Sequence, residues 1–277
     1  MEQIQNNRVI TDLYRENAQF PGIALDGSDV YLCWQRFVDR HDSLMASCRR
    51  GDEVVWEREI SDGGEVLHPV ILAHGGAIWY AWSEYARENW RILARCYRDG
   101  QWGEVLTVAS GEALFFPRLF TWQGRLHVIW TEQHKGSAAA VLCPLTEAGP
   151  GAAETVSAVG EAYRAGAAEG GDGNLYVAYD GFDGKQYKLF ARARTAAGWS
   201  KEIVVSQGED WASTPWIAAK PDGAVVGWYD YGYMAVYSVR SADLTVRDGA
   251  LAAVNPQCLK EGVDWYLDLH VASNASG

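Results

Sequence analysis

The sequence predicts an all-β protein made of repeated four-stranded antiparallel sheets. Three observations predict it: short segments of β-forming residues between turns, no helical periodicity, and aromatic residues that recur at a fixed spacing. The 277-residue chain holds 13 Trp and 14 Tyr but only 7 Phe. Four β segments in each repeat of about 48 residues are typical of a β-propeller blade.

Each repeat begins at a proline and has an aromatic residue 13 positions later. The prolines are Pro21, Pro69, Pro117, Pro215 and Pro256, with Gly166 at the corresponding position of the fourth repeat, and the aromatic residues are Trp34, Trp82, Trp130, Tyr179 and Trp228. Two strands joined by a glycine turn lie between the marks, as in "PVILAHGGAIWYAW", and a third and a fourth strand follow. Such a sheet has two apolar faces and an open edge, so it is stable only when stacked around a closed ring.

The two ends of the chain decide the predicted number of blades. Residues 8–14 ("RVITDLY") look like an outer strand without a blade, and residues 255–277 look like a blade that begins and lacks its last strand. We therefore predict a single six-bladed propeller domain over 1–277, closed by strands from both termini. Its repeats lie near 20–61, 68–110, 116–158, 164–206, 214–247, and 255–277 with 8–14. The alternative has five blades, with residues 8–14 closing the fifth and residues 241–277 as a linker.

Composition and charge narrow the classes of function. A formal net charge of −12 disfavours nucleic acid and anionic membranes as partners, because both require clustered Lys and Arg. The start of the chain lacks the pattern of a signal peptide, and no segment approaches the roughly 18 apolar residues of a membrane span. The five cysteines show no pairing pattern, and Cys48, Cys96 and Cys143 fall at nearly equivalent positions of successive repeats. We expect a cytoplasmic protein.

One rim of the propeller is the predicted binding surface. Loops after the second strands and loops before the inner strands lie on the same rim of a propeller. The second strands end with Arg36, Glu84, Glu132, Asp180 and Asp230, and the inner strands start with Phe20, His68, Phe116, Arg164 and Trp216. We predict that these side chains converge on the axis as an acidic, aromatic rim.

Such a rim suits several kinds of chemistry. Carboxylates that lie close together shift one another's pKa values, which suits acid and base catalysis. Aromatic platforms beside carboxylates suit carbohydrate binding. The simpler alternative is that polar residues merely end the strands of an acidic protein. The histidines show no metal-ligand spacing, so we predict no metal, no cofactor and no assigned catalytic residue.

Across nearly the whole chain the repeats resemble the sialidase-like and BNR-like propeller superfamily. The resemblance implies the architecture. The Asp-box turn of that superfamily is absent, since residues 61–68 ("SDGGEVLH") share only fragments of it, and the arginine triad that binds a sialic acid carboxylate is not recognisable. Sialidase chemistry is therefore not implied, because a fold alone does not carry a function.

The last ten residues, "DLHVASNASG", resemble the first motif of the PHP family of metal-dependent phosphoesterases. His270 matches the first histidine of that motif and Asp268 the acid before it, whereas Ala272 replaces the second histidine. The resemblance implies a propeller that precedes a metallohydrolase domain.

Three hypotheses for the function follow. The first is a binding or scaffold module that presents the rim to a glycan, a peptide or a partner domain. The second is a glycan-active hydrolase or lyase that uses the rim carboxylates. The third is an N-terminal accessory propeller of a PHP-type metallohydrolase that continues beyond the chain.

Overall fold

The computed structural model describes residues 17–61, 63–158, 160–232 and 237–263. These residues form 23 β-strands in five antiparallel sheets, each of which is one blade. No helix that is long and apolar enough to cross a membrane occurs among them. The all-β prediction and the four-stranded blade are confirmed.

The strands of each blade run from the axis outward in chain order. Blade 1 contains β1 (Asn17–Asp26), β2 (Asp29–Val38), β3 (His41–Arg50) and β4 (Glu53–Glu59). Blade 5 contains β20 (Trp211–Lys220), β21 (Gly223–Tyr231), β22 (Tyr237–Arg247) and β23 (Ala250–Val263).

In the three middle blades the fourth strand consists of two short pieces that both pair with the third strand. Blade 2 contains β5 (Glu65–His74), β6 (Ala77–Ala86), β7 (Asn89–Arg98), β8 (Gln101–Trp102) and β9 (Leu106–Gly111). Blade 3 contains β10 (Ala113–Trp122), β11 (Arg125–His134), β12 (Ser137–Thr146), β13 (Gly149–Pro150) and β14 (Glu154–Thr155). Blade 4 contains β15 (Ala162–Glu169), β16 (Leu175–Phe182), β17 (Tyr187–Thr195), β18 (Gly198–Trp199) and β19 (Ile203–Val204).

The inner strand of every blade carries a β-bulge near its start. The register against the second strand shifts between Gln19 and Gly22 in β1, and at the equivalent place in each of the other four inner strands. The bulge residues are Phe20, His68, Phe116, Arg164 and Thr214, and all five have a positive φ, between 39° and 55°. Because a bulge changes the direction of a side chain, this repeated irregularity turns five side chains toward the axis.

The bulges correct two details of the predicted repeat. Ala165, and not Gly166, follows the bulge residue of the fourth blade as a proline does in the others. Thr214, and not Trp216, is the fifth bulge residue, since the shift in β20 lies between Ser213 and Trp216. Trp216 is instead equivalent to Arg118, the residue after Pro117.

Buried side chains fill the spaces between adjacent blades. Tyr80 and Trp82 of blade 2 pack toward blade 1, whereas Trp79 of the same strand packs toward blade 3. Trp228 of blade 5 packs against Tyr176 of blade 4. The alternating faces of one strand thus serve two interfaces. Four of the five repeated aromatic residues lie in such clusters, namely Trp82, Trp130, Tyr179 and Trp228.

The blade count differs from our first prediction, because the described residues form five sheets and a sixth is not shown. Residues 255–263, predicted to begin a sixth blade, lie in β23, which pairs along the whole of β22 as the fourth strand of blade 5. Asp248 and Gly249 connect the two strands, both with positive φ as in a two-residue hairpin turn. This local hairpin also replaces the predicted linker. Residues 8–14 and 264–277 lie outside the described residues.

The predicted positions of the repeated cysteines are confirmed. Cys48, Cys96 and Cys143 are buried on the third strands of blades 1, 2 and 3. Cys33 is also buried, and Cys258 on β23 is exposed.

Candidate ligand-binding site

The five inner strands surround a cavity of about 780 Å³ on the axis. Its aromatic lining residues are Phe20, Phe116, Tyr187, Trp211, Trp216, Tyr229, Tyr231 and Tyr237, and its polar ones include His68, Arg118, Arg164, Ser213 and Thr214. Every blade contributes to the lining. A concave site with apolar walls and a few polar groups is the usual form of a small-molecule site.

Four bulge residues lie side by side along one wall of the cavity. The ring centroids of Phe20 and His68 are 4.9 Å apart, and those of His68 and Phe116 are 4.2 Å apart. The guanidinium carbon of Arg164 is 6.0 Å from the centre of the Phe116 ring. The fifth bulge residue, Thr214, has a much smaller side chain than the other four, so it fills less of the cavity.

Arg118 and Trp216 also line the cavity, and their side chains contact each other. They occupy equivalent positions of blades 3 and 5, and the guanidinium carbon of Arg118 lies 3.4 Å from the centre of the Trp216 ring. A cation above an indole face is a favourable contact, and it holds both groups in a fixed orientation.

His68 is neutral at pH 7 in this environment. Burial, together with the nearby charges of Arg118 and Arg164, lowers the pKa of its imidazole to about 4. Within the part of the chain that the structure describes, its buried Nδ1 atom has no hydrogen-bond partner.

The basic side chains among the described lining residues are Arg118 and Arg164, beside the neutral imidazole of His68. Arg164 is paired with the buried carboxylate of Asp180, which balances its charge. The two guanidinium groups supply N–H donors, which suit ligands that accept hydrogen bonds.

Five of the ten predicted rim residues line this cavity, namely Phe20, His68, Phe116, Arg164 and Trp216. The structure does not bring the other five to the same surface. Arg36 binds Glu59 at 3.2 Å, and Glu132 is half-buried on β11 between Leu114 and Ala139 of its neighbouring strands.

The remaining three predicted residues are buried carboxylates in ion pairs. Glu84 is fully buried, pairs with Arg91 and accepts a hydrogen bond of 3.3 Å from Trp82 Nε1. Asp180 is fully buried and accepts a 3.0 Å hydrogen bond from Arg164 Nε.

Asp230 repeats the arrangement in blade 5, where it pairs with Arg240 at 2.5 Å and accepts a 2.6 Å bond from Trp228 Nε1. Burial raises the pKa of Asp180 and of Asp230, and the arginines partly oppose this. The prediction of an exposed acidic rim is wrong for these three residues, because each carboxylate faces a basic partner inside the sheet. A role for them in ligand binding stays a prediction.

Sequence reasoning missed several lining residues, including Arg118, Tyr187, Trp211, Tyr231 and Tyr237. One signal was present, since Arg118 follows Pro117 as Trp216 follows Pro215, and a correct alignment would have paired the two. The aromatic residues at the ends of β17, β20, β21 and β22 carried no repeat signal, because blade 3 has no aromatic residues at the equivalent strand ends. Among the described residues no group of three or more His, Cys, Asp or Glu side chains could hold a metal ion.

Comparison with known proteins gives similarity of structure alone. No family model matches the sequence, and no curated protein is similar to it in sequence. A puromycin-hydrolysing peptidase of Mycobacterium tuberculosis is similar with a TM-score of 0.57 and 16% identity, over 91% of this chain and 38% of the peptidase. This chain thus spans well under half of that protein.

Two further solved structures share the propeller. A Hadza microbial sialidase matches with a TM-score of 0.54 and 14% identity, over 88% of this chain and 59% of the sialidase. An α-L-arabinanase variant of Cellvibrio cellulosa matches with a TM-score of 0.50 and 11% identity, over 93% of this chain and all of the arabinanase, 100%. The resemblance to sialidase-like propellers is confirmed for the fold, the resemblance to the PHP motif has no support, and five blades agree with these structures.

Proposed function

We propose that this protein is glycan-active and that a sugar binds in the axial cavity. The observation that carries the proposal is the Arg118–Trp216 contact within an aromatic-lined cavity of about 780 Å³. Sugar rings stack on aromatic faces through their C–H groups, and their hydroxyl and carboxyl oxygens accept hydrogen bonds from Arg and His.

The fold supports the glycan class without deciding it. Two of the similar structures are named as a sialidase and an arabinanase, whereas another is named as a peptidase. A propeller therefore hosts several chemistries, and the lining residues have to make the distinction. Arginines in the cavity make a sugar with a carboxylate, such as a uronic acid, the first ligand to test.

Of the two reactions expected from the sequence, elimination fits the lining better than hydrolysis. Glycosidases use a pair of carboxylates beside the scissile bond. Glu84, Asp180 and Asp230 are instead buried and bound by arginines. In an elimination, a guanidinium binds the uronate carboxylate and a tyrosine or histidine accepts the C5 proton. The C4–O bond then breaks as the C4=C5 double bond forms, and a tyrosine hydroxyl or water protonates the departing oxygen; the cavity holds these side-chain types.

The second candidate is a binding module that carries out no reaction. It is favoured by the same ion pairs, because they neutralise the carboxylates that a glycosidase would use. Incubation with oligogalacturonates separates the candidates: a lyase forms unsaturated uronate ends, a hydrolase forms new reducing ends without unsaturation, and a module forms neither.

Binding itself is tested by calorimetric titration with digalacturonate, which is acidic, and arabinobiose, which is neutral. We expect Trp216→Ala and Arg118→Gln each to weaken binding by tenfold or more, on the order of the loss of one stacking or charge-assisted contact. Phe37→Ala is the control, because Phe37 is an exposed aromatic residue that does not line the cavity. If neither sugar binds, or if the two cavity variants bind like the wild type, the proposal is wrong.

A further inference from the structure

A row of six aromatic side chains crosses the rim of blades 4 and 5 and ends in the axial cavity. We name Tyr163, Phe182, Tyr187, Trp211, Tyr231 and Tyr237 the aromatic ridge. Consecutive ring centroids are 4.9 Å apart for Tyr237 and Tyr231, 6.2 Å for Tyr231 and Trp211, and 5.5 Å for Trp211 and Tyr187. Tyr187 then contacts Phe182 at 5.4 Å and Tyr163 at 6.1 Å.

The strand register explains why these rings form a row. Tyr187, Trp211 and Tyr237 begin β17, β20 and β22, while Phe182 and Tyr231 end β16 and β21. Antiparallel pairing places Phe182 opposite Tyr187, and Tyr231 opposite both Trp211 and Tyr237. All of these strand ends lie on the face where the cavity opens. The ridge therefore continues the cavity wall outward across two blades.

The ridge is not part of the hydrophobic core. None of its six residues belongs to the buried clusters between blades, and Trp211 is 46% exposed. A row of partly exposed aromatic rings on a soluble surface is unfavourable unless it contacts something. A second aromatic row in blades 2 and 3 differs in this respect, because its Trp90 packs against the core cluster of Ile92 and Leu114.

The ridge is flanked by charged groups at one side. Lys185 and Glu209 are both strongly exposed and form a 3.0 Å ion pair between the loops that follow β16 and precede β20. An aromatic platform with exposed donors and acceptors beside it provides stacking surface and hydroxyl contacts together. The distances between consecutive ring centroids of the ridge are about the length of one sugar residue.

We propose that the aromatic ridge provides additional subsites for a linear oligosaccharide whose one end occupies the axial cavity. This inference rests on the proposed function, and it adds that the ligand is a chain and not a single sugar. Four ridge residues line the cavity mouth, namely Tyr237, Tyr231, Trp211 and Tyr187, and the two beyond it, Phe182 and Tyr163, contact the sugar residues farther along the chain. Each further sugar gains one stacking contact.

The test measures affinity against chain length in two series, galacturonic acid and arabinose oligomers of one to six residues. We expect affinity for the series that binds to rise by tenfold or more between the dimer and the tetramer. Phe182→Ala, which removes a ridge residue outside the cavity lining, removes this gain and leaves the affinity for the dimer unchanged, and Phe182→Tyr restores part of it. Phe37→Ala retains the full dependence on length and serves as the matched control.

The outcomes separate the two proposals. If the dimer binds as tightly as the hexamer, or if Phe182→Ala keeps the gain with length, the ridge has no subsites and the cavity proposal stands. If the dimer binds but Trp216→Ala does not affect it, the cavity proposal is wrong. If no oligomer of either series binds, both proposals fail together.

Discussion

Arg118 of blade 3 and Trp216 of blade 5 meet across the axis, with the guanidinium carbon 3.4 Å from the centre of the indole ring. Their strands, β10 and β20, are separated in the ring by blade 4. The contact therefore links two blades that share no sheet and no interface of their own. It couples the geometry of the cavity to the arrangement of blades 3, 4 and 5.

A double-mutant cycle measures this coupling. Arg118→Met and Trp216→Leu each remove one partner, and we expect an interaction free energy of about 0.5–2 kcal/mol from urea unfolding, as found for partly desolvated cation–π pairs. The control cycle combines Arg118→Met with Phe37→Ala, whose side chains do not meet. Strictly additive single-variant effects would contradict a direct interaction.

The buried ion pair of blade 2 predicts an asymmetric response to mutation. Arg91→Met leaves the fully buried Glu84 carboxylate without its cation, so we expect a loss of about 3 kcal/mol in the free energy of unfolding. Glu84→Gln costs less, because the Arg91 side chain is 34% exposed and can turn toward water. Denaturant unfolding of both variants tests the order, and equal losses would contradict it.

The double variant Arg91→Met with Glu84→Gln completes that experiment. It removes the unpaired buried charge, so we expect it to be more stable than Arg91→Met alone. In this variant the amide oxygen of the glutamine can still accept the hydrogen bond from Trp82 Nε1. Glutamine also has nearly the same shape as the glutamate that it replaces.

Acidification destabilises the protein through His68. Its pKa is about 4 in the folded protein against an ordinary value of 6.5, so the unfolded chain binds the proton more tightly. The stability conferred by neutral His68 is complete above pH 6.5 and declines as the pH falls toward 4, by at most about 3 kcal/mol.

The matched variant for this prediction is His68→Asn, since asparagine tolerates the positive φ of 53° at this position. The raised pKa values of Asp180 and Asp230 change the stability in the opposite direction, because protonation of these carboxyl groups at low pH favours the folded state. This effect is the same in the wild type and in the variant, so it cancels in the comparison. Urea unfolding at pH 7.5, 5.5 and 4.5 should show the wild type losing stability relative to the variant. A constant difference would refute the assignment.

Two arginines join neighbouring blades through backbone carbonyl groups. Arg192 of blade 4 donates to Ser200 O at 3.1 Å and to Val156 O of blade 3 at 2.6 Å, and Arg95 makes the same pair of bonds between blades 2 and 1. We expect Arg192→Met to cost about 1–3 kcal/mol, because it leaves two carbonyl groups without their donor. Arg50→Met is the control, and because its pair with Asp29 is exposed, its loss should change the stability less than Arg192→Met does. Thermal unfolding gives the comparison.

The sequence by itself determined the repeating unit and the packing of its aromatic residues. A period of about 48 residues with alternating apolar positions leaves only one arrangement in which each sheet buries both faces. His68, Phe116 and Arg164 were also placed correctly, because they directly precede the proline, or its substitute, that marks the start of each inner strand. Position within the repeat was enough to predict position around the axis.

The number of blades was decided by a local turn that the sequence analysis did not use. Asp248 and Gly249 form a two-residue hairpin between β22 and β23, and this pairing assigns residues 250–263 to blade 5. A short hairpin forms its contacts at little cost in chain entropy, whereas a sixth blade shared between distant termini requires a long-range closure. The sequence contains the Asp-Gly pair, but it does not show that this hairpin is favoured over the sixth blade that the repeat pattern predicts.

Only the tertiary structure decided which polar residues face the ligand cavity. Glu84, Asp180 and Asp230 end their strands as the repeat predicted, yet arginines on neighbouring strands draw them into buried pairs. Arg118 and Trp216 are 98 residues apart in the sequence and meet only because blades 3, 4 and 5 are arranged around the cavity. Repeat spacing defines where a residue lies along a strand, but its charge partners come from other strands and other blades, so their identity depends on the assembled fold.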